Sequence, residues 1–329
     1  MKGFQMPVRH SMIRICGSVL CAVFSSHFCV GQNMPHAAIP VWTVQVRDLS
    51  PRFLDFYRTA IADGASPDRR WEIWKEKYDF AAVPPIAAGQ AIARQWLDEA
   101  WPKYQAKLLR ITAGAADIVP SPQTKLAEVV SLLHPSDSGQ VQVTVFVGTF
   151  HHDAFASGKI NGVWRIAIPL EESNTEMALS MTHEFTHAVQ RSSGRWAGQT
   201  VGGAIFSEGL AMRVTEKLNP GFSPQTYTTS TKEWLDTCAT KLPEVFNDLE
   251  GHLNDTGAEA VSKFTVQKGG AGLDREIYCA GWFTAGSLLK EGRSFPELAS
   301  LPQPDAVSLV AEQIKEWRTS RSTNLSSRP

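Results

Sequence analysis

His183-Glu184-Phe185-Thr186-His187 places two imidazoles four residues apart with a carboxylate between them. On an α-helix these rings lie one turn apart on one face, so both reach a single metal ion while Glu184 stands beside it. The flanks predict such a helix: Ser173-Asn174-Thr175-Glu176 is a capping-box pattern, no proline or glycine follows before Gly194, and that glycine suits a C-cap. A catalytic zinc centre has three protein ligands and an open position. The pattern that adds a glycine and a third histidine fails, because Gln190 and Ser193 occupy those places. Glu208 is the remaining candidate, with 20 residues between it and His187. It falls in a helical pattern in which Phe206, Leu210, Val214 and Leu218 recur every four residues and Asn219-Pro220-Gly221 ends the run. Its neighbours Ala204-Ile205-Phe206 and Gly209-Leu210-Ala211 are apolar, a setting where an unpaired carboxylate is costly and a metal ion compensates it. Gly209 predicts close approach of the two ligand helices.

At His183, Glu184, His187 and Glu208 the chain resembles the gluzincin metallopeptidases, which carry H-E-x-x-H on one helix and a glutamate ligand on the next. A closer likeness is to a poorly characterised group of predicted zinc-dependent bacterial proteases. These share a strand before the H-E-x-x-H helix, an E-G-L-A ligand helix (Glu208-Gly209-Leu210-Ala211 here) and a Gly-rich C-terminal helix, here Tyr278 to Gly286. The likeness spans about Val141 to Ile314 and is specific at the two ligand helices. It implies Zn2+ held by His183, His187 and Glu208, a zincin-like catalytic region, and a peptide or protein substrate. Zinc lowers the pKa of its bound water toward about 7 and polarises the scissile carbonyl, while Glu184 takes the water's proton and passes it to the leaving amine.

The resemblance also implies that the strand before the active helix holds the substrate as an added strand, a role that falls to Val163 to Ile168, although this segment equally reads as a simple edge. Met212 stands where thermolysin-like members carry an aspartate, so the group that orients the ligands is left unassigned. Tyr278, Arg275 and His252 are candidates to stabilise the oxyanion, with Tyr278 favoured. The Gly-x-Met-Glu-Asn motif of the clan's aminopeptidases is absent. His151-His152-Asp153 offers further metal-binding side chains, set against the blander reading of a solvated loop. Ser207 lacks the G-x-S-x-G elbow of a serine hydrolase.

The elements that position these residues follow from periodicity. From about Val41 to Pro135 the signals are helical, with Ser50-Pro51, Ser66-Pro67 and Ser121-Pro122 as helix starts. A helix from Phe53 to Gly64, a second with Trp71, Trp74 and Tyr78, and a long one from Ile92 to Leu109 interrupted at Pro102 bury an aromatic stripe. Val141, Val143, Val145 and Val147 then alternate along a strand, a Gly-containing loop follows, and Val163 to Ile168 forms a second strand. Ser173 to about Trp317 is mostly helical. The fold class is α+β, predominantly helical. The regions are a signal peptide at 1–31, an N-terminal helical region at 32–135, the metallopeptidase domain at 136–318 and a flexible tail at 319–329.

Composition bounds the function. The 329 residues carry 32 basic and 33 acidic side chains, so no strong positive field points to nucleic acid or an anionic membrane. Lys2, Arg9 and Arg14 precede an apolar run from Ile15 to Phe24, the organisation of an export signal, with cleavage placed after Gly31 and an uncleaved anchor as the alternative. A lipid anchor at Cys21 or Cys29 is disfavoured by the bulky Leu20 and Phe28 before them. Removing 1–31 leaves 29 basic against 33 acidic residues, a net charge of −4, no membrane span, and a periplasmic or secreted protein. It leaves two cysteines, Cys238 and Cys279, either bridged or buried as free thiols. The rival to a peptidase is a non-catalytic zinc-binding envelope protein with a structural or peptide-binding role.

Overall fold

The computed structural model describes residues 40–326 apart from 84–87, 152–153, 193–195 and 197–199. The expected export signal at 1–31, His152, Asp153 and the Gly194 cap lie outside the described residues. The protein is α+β and predominantly helical, with one four-stranded mixed sheet.

Strand β1 (Trp42–Asp48) is followed by helices α1 (Ser50–Ala62), α2 (Pro67–Lys77), α3 (Gly89–Ala100), α4 (Leu108–Ala113) and α5 (Pro122–Leu133). Strands β2 (Gly139–Phe146), β3 (Phe155–Ile160) and β4 (Val163–Pro169) come next. Then come α6 (Asn174–Arg191), α7 (Val201–Leu218), α8 (Pro224–Tyr227) and α9 (Lys232–Glu250). The chain closes with α10 (Ala258–Thr265), α11 (Glu276–Lys290), α12 (Phe295–Ala299) and α13 (Gln303–Ser326).

The helix starts obey capping chemistry, with one adjustment. Ser66 and Ser121 accept the backbone N–H of Arg69 and Thr124 at 3.3 and 3.2 Å, each followed by proline in the first turn. Ser50 does not cap: it is the first residue of α1, and its N–H donates to Asp48 Oδ1 at 2.8 Å instead. At Pro102 the helix breaks into a 3₁₀ segment, Trp101–Lys107, because proline offers no amide to the ladder.

The strand order is β1-β2-β4-β3. β1 and β2 run parallel with Val44 opposite Val141, β2 and β4 parallel with Val143 opposite Ile166, and β3 antiparallel to β4. Two of these strands correct the reading of the sequence. β1 lies in the stretch read as helical; its alternation of Trp42, Val44 and Val46 is short and mostly exposed, so its pairing with β2 decides its state. β3 occupies the segment read as a loop, and its bulge between Ala156 and Gly158 breaks the period of two.

The sheet thus joins the N-terminal part to the part that carries the candidate ligands. β2 buries Val141, Val143, Val145 and Phe146, α5 packs on β1, and α6 packs on β4. The aromatic stripe is core as expected: Phe53 lies 4.8 Å from Tyr104 and 5.4 Å from Tyr78, ring to ring. Those tyrosines also hold the chain leaving β2. Tyr78 donates to Val147 O and accepts from Val147 N, and Tyr104 donates to Gly148 O.

Cys238 on α9 and Cys279 on α11 form a disulfide with Cα atoms 5.7 Å apart, which decides between the two readings left open. Closing a loop of sequence separation 41 is worth about 4 kcal/mol on chain-entropy grounds. α13 continues through Ser326, past the point at Trp317 where composition predicts a frayed tail. Buried Val310 and Ile314 anchor it, and an established helix propagates at small cost per residue. Among the described residues no helix is long and apolar enough to cross a membrane.

Candidate metal centre

α6 is fixed at its start by a complete capping box. Ser173 Oγ accepts the Glu176 N–H at 3.2 Å, and Glu176 Oε2 accepts the Ser173 N–H at 2.7 Å. Met177, Met181, Phe185 and Ala188 bury one face of the helix. His183 and His187 follow one turn apart, with ring centroids 4.8 Å from each other.

α7 starts at Thr200, whose hydroxyl accepts the Gly203 N–H at 3.0 Å, and ends at Asn219 where the sequence predicts it. Glu208 is thereby held opposite the histidines. The glycine beside it works differently from expectation. A Cβ on Gly209 would lie 2.3 Å from the Gly281 carbonyl oxygen, and one on Gly281 would lie 2.5 Å from the Ile205 carbonyl oxygen. Gly209 therefore permits contact of α7 with α11, not with α6, because it faces away from the ligand helix.

Nε2 of His183 lies 3.0 Å from Glu208 Oε2, Nε2 of His187 lies 3.4 Å from Glu208 Oε1, and the two Nε2 atoms are 3.1 Å apart. All three ligand atoms fall within 4.8 Å of one another. Two donors each about 2.0–2.1 Å from a tetrahedral ion stand about 3.3 Å apart, so this set of two nitrogens and one carboxylate oxygen fits zinc. Among the described residues it is the one group of three or more potential ligands that converges in this way.

The local electrostatics favour a cation. Burial pushes the Glu208 carboxyl up, but the two imidazoles outweigh it and hold the group well below the usual carboxylate range. Burial pulls His183 down, and the hydrogen bond and charge of Glu208 more than reverse this. Glu184, only 8% exposed, is pushed up by burial, against the pull of His183 and His187. A carboxyl raised in this way suits a group that must take up and release a proton.

His183 and Glu184 open onto a cleft of about 520 Å³ that Tyr278, Arg275 and a hydroxyl-rich turn from Thr226 to Thr231 also line. The Tyr278 phenol is pushed up, first by the Glu208 charge and then by burial, so it is a proton donor at any ordinary pH. His252, named with Tyr278 and Arg275, is elsewhere: it pairs with Asp255 at 2.6 Å and packs on Phe264. Among the described residues His151 joins no group of potential ligands. Its ring stacks on Trp96 at 4.5 Å and its Nε2 lies 3.6 Å from Glu99.

Val163 to Ile168 cannot take an added strand, because it is β4, paired with β2 on one side and β3 on the other. The edge beyond β4 belongs to β3, β1 forming the opposite edge, and Ala154 just before β3 lines the cleft.

Sequence reasoning missed the groups that hold His187. Its Nδ1 lies 2.9 Å from Ser207 Oγ, which donates to Gln190 Oε1 at 2.8 Å and accepts from Arg191 at 3.3 Å. The available signal was local: Gln190 and Arg191 stand three and four residues after His187, on its own helix face. No family model, curated protein or solved structure matches the chain.

Proposed function

We propose that the protein is a zinc-dependent metallopeptidase, with zinc held by His183, His187 and Glu208. The observation that carries this is the convergence of those three ligand atoms within 4.8 Å, beside a buried glutamate and at the wall of a cleft. When bound, zinc supplies Lewis-acid activation of a water and of the scissile carbonyl.

The chain's own residues supply the rest. Glu184 takes the proton from the attacking water and delivers it to the leaving nitrogen. Tyr278, whose phenol keeps its proton, donates to the carbonyl oxygen as negative charge develops there. The edge of β3 holds the substrate backbone in extended form, which places the peptide along the cleft at Ala154. The Cys238–Cys279 disulfide suits an oxidising compartment, in accord with export to the periplasm or outside the cell.

The test is zinc content together with hydrolysis. Purified protein is expected to carry near one zinc per chain, lost or weakened in His187→Ala and Glu208→Ala. Glu184→Gln is expected to keep zinc while cleavage of a peptide library falls by about two to four orders of magnitude. Folded protein that takes up no zinc on reconstitution overturns the proposal. Zinc uptake without cleavage of any peptide favours the non-catalytic envelope protein.

A further inference from the structure

Arg275 lines the cleft and, among the described residues, forms no ion pair with a carboxylate. It precedes α11 in the left-handed region, with φ +58, a conformation costly for a residue with a side chain and held here by its surroundings. Its guanidinium donates to the Thr229 carbonyl at 2.6 Å and the Thr228 carbonyl at 3.0 Å. One face lies 4.3 Å from the centre of the Tyr278 ring, and Trp234 approaches at 5.5 Å while its indole N–H donates to Asp274 O. The group is therefore fixed in position.

Three other arginines of low exposure pair with carboxylates, Arg70 with Asp98, Arg110 with Asp117 and Arg213 with Glu216, whereas Arg165 and Arg191 bond to the neutral Gln142 and Ser207. Among the described residues no carboxylate forms an ion pair with Arg275, although it lines the same cleft as His183 and Glu184. A guanidinium has five N–H donors in a planar fork. Two are taken by the carbonyls, which leaves three, and a carboxylate accepts two side by side.

We propose that Arg275 is a substrate-recognition residue that binds a carboxylate of the peptide lying in the cleft. On the reading of the cleft as a peptidase site, this selects substrates that present either a free C-terminus or an acidic side chain at a fixed distance from the scissile bond. Neutral peptides leave the remaining donors facing water or apolar groups and gain nothing from them.

The experiment uses full-length Glu184→Gln protein, zinc-loaded and again with chelator, and calorimetric titration of two peptide pairs. The first pair is N-acetyl-hexaalanine as free acid and as amide. The second is the blocked peptide with one central Glu or one central Gln. In one pair the carboxylate ligand is expected to bind about 10- to 100-fold more tightly than its neutral twin, with the margin lost on adding Arg275→Gln and reduced on adding Arg275→Lys. A margin in the first pair assigns the C-terminal carboxylate, and one in the second pair assigns an internal acidic side chain.

Equal binding of the twins in both pairs, no binding of any of the four at millimolar concentration, or a margin that survives Arg275→Gln overturns the proposal. The comparison of twins on the parent protein and the lysine variant decide the matter if Arg275→Gln fails to fold. The chelated arm separates this inference from the metallopeptidase reading. A margin that persists there is independent of zinc, and failure to bind zinc overturns only the peptidase.

Discussion

Ser207 Oγ lies 2.9 Å from His187 Nδ1, and the same hydroxyl donates its one proton to Gln190 Oε1 at 2.8 Å. Hydrogen-bond bookkeeping then fixes the imidazole: Ser207 accepts from His187 Nδ1–H, so the His187 Nε2 lone pair points at Glu208 and His183. A buried hydroxyl does here what a carboxylate does in many zinc sites.

Ser207→Ala leaves Nδ1–H without its acceptor and frees the ring to turn. Zinc affinity is expected to fall by about 10- to 100-fold while the fold is retained. Competition with a chromophoric chelator measures this. Unchanged affinity would show that packing alone orients His187.

The crossing of α7 and α11 makes a second prediction. Gly209→Ala and Gly281→Ala each place a methyl group within 2.3–2.5 Å of a backbone carbonyl oxygen across that crossing. Each is expected to destabilise the protein by about 2–3 kcal/mol, although alanine is the better helix former by about 1 kcal/mol. Gly251→Ala, with open space around the new methyl, is the control and should stay within about 0.5 kcal/mol of the parent. Urea unfolding checks all three.

A pH dependence follows from Glu276, which is fully buried at the start of α11. Burial first, then a hydrogen bond to Asp248 and the Asp248 charge, push its pKa from 4.5 up to about 7. The folded protein holds this proton when the unfolded chain has released it. Its stabilising contribution is complete below pH 4.5 and is lost as the pH rises through about 7. Relative to Glu276→Gln, the parent should lose on the order of 2–3 kcal/mol of stability between about pH 5 and about pH 8. Denaturant midpoints across that range measure the difference, and parallel curves would refute it.

Much of the candidate site was legible because its signals are local. The spacing of His183, Glu184 and His187, the capping box at Ser173 and Glu176, and the four-residue recurrence around Glu208 each concern one helix, and helix geometry follows from the backbone. The three-ligand set needed one further step, the cost of leaving Glu208 unpaired among apolar neighbours.

Relations between elements were not legible in this way. β1 joins the sheet through β2, nearly a hundred residues later, and its short exposed pattern says little about state or partner. That β3 rather than β4 lies at the sheet's edge depends on strand order, which alternation along a strand does not specify.

The sequence by itself determined the two ligand helices, the caps at Ser66, Ser121 and Ser173, the placement of His183 and His187 on one face, and the apolar setting of Glu208. Only the tertiary structure decided that Gly209 meets α11, that Ser207 contacts His187, that Cys238 reaches Cys279, and that Arg275 lines the same cleft as His183 and Glu184. Periodicity and capping act within a few residues of the chain, whereas these contacts are set by how whole elements pack, and that is a property of the folded core.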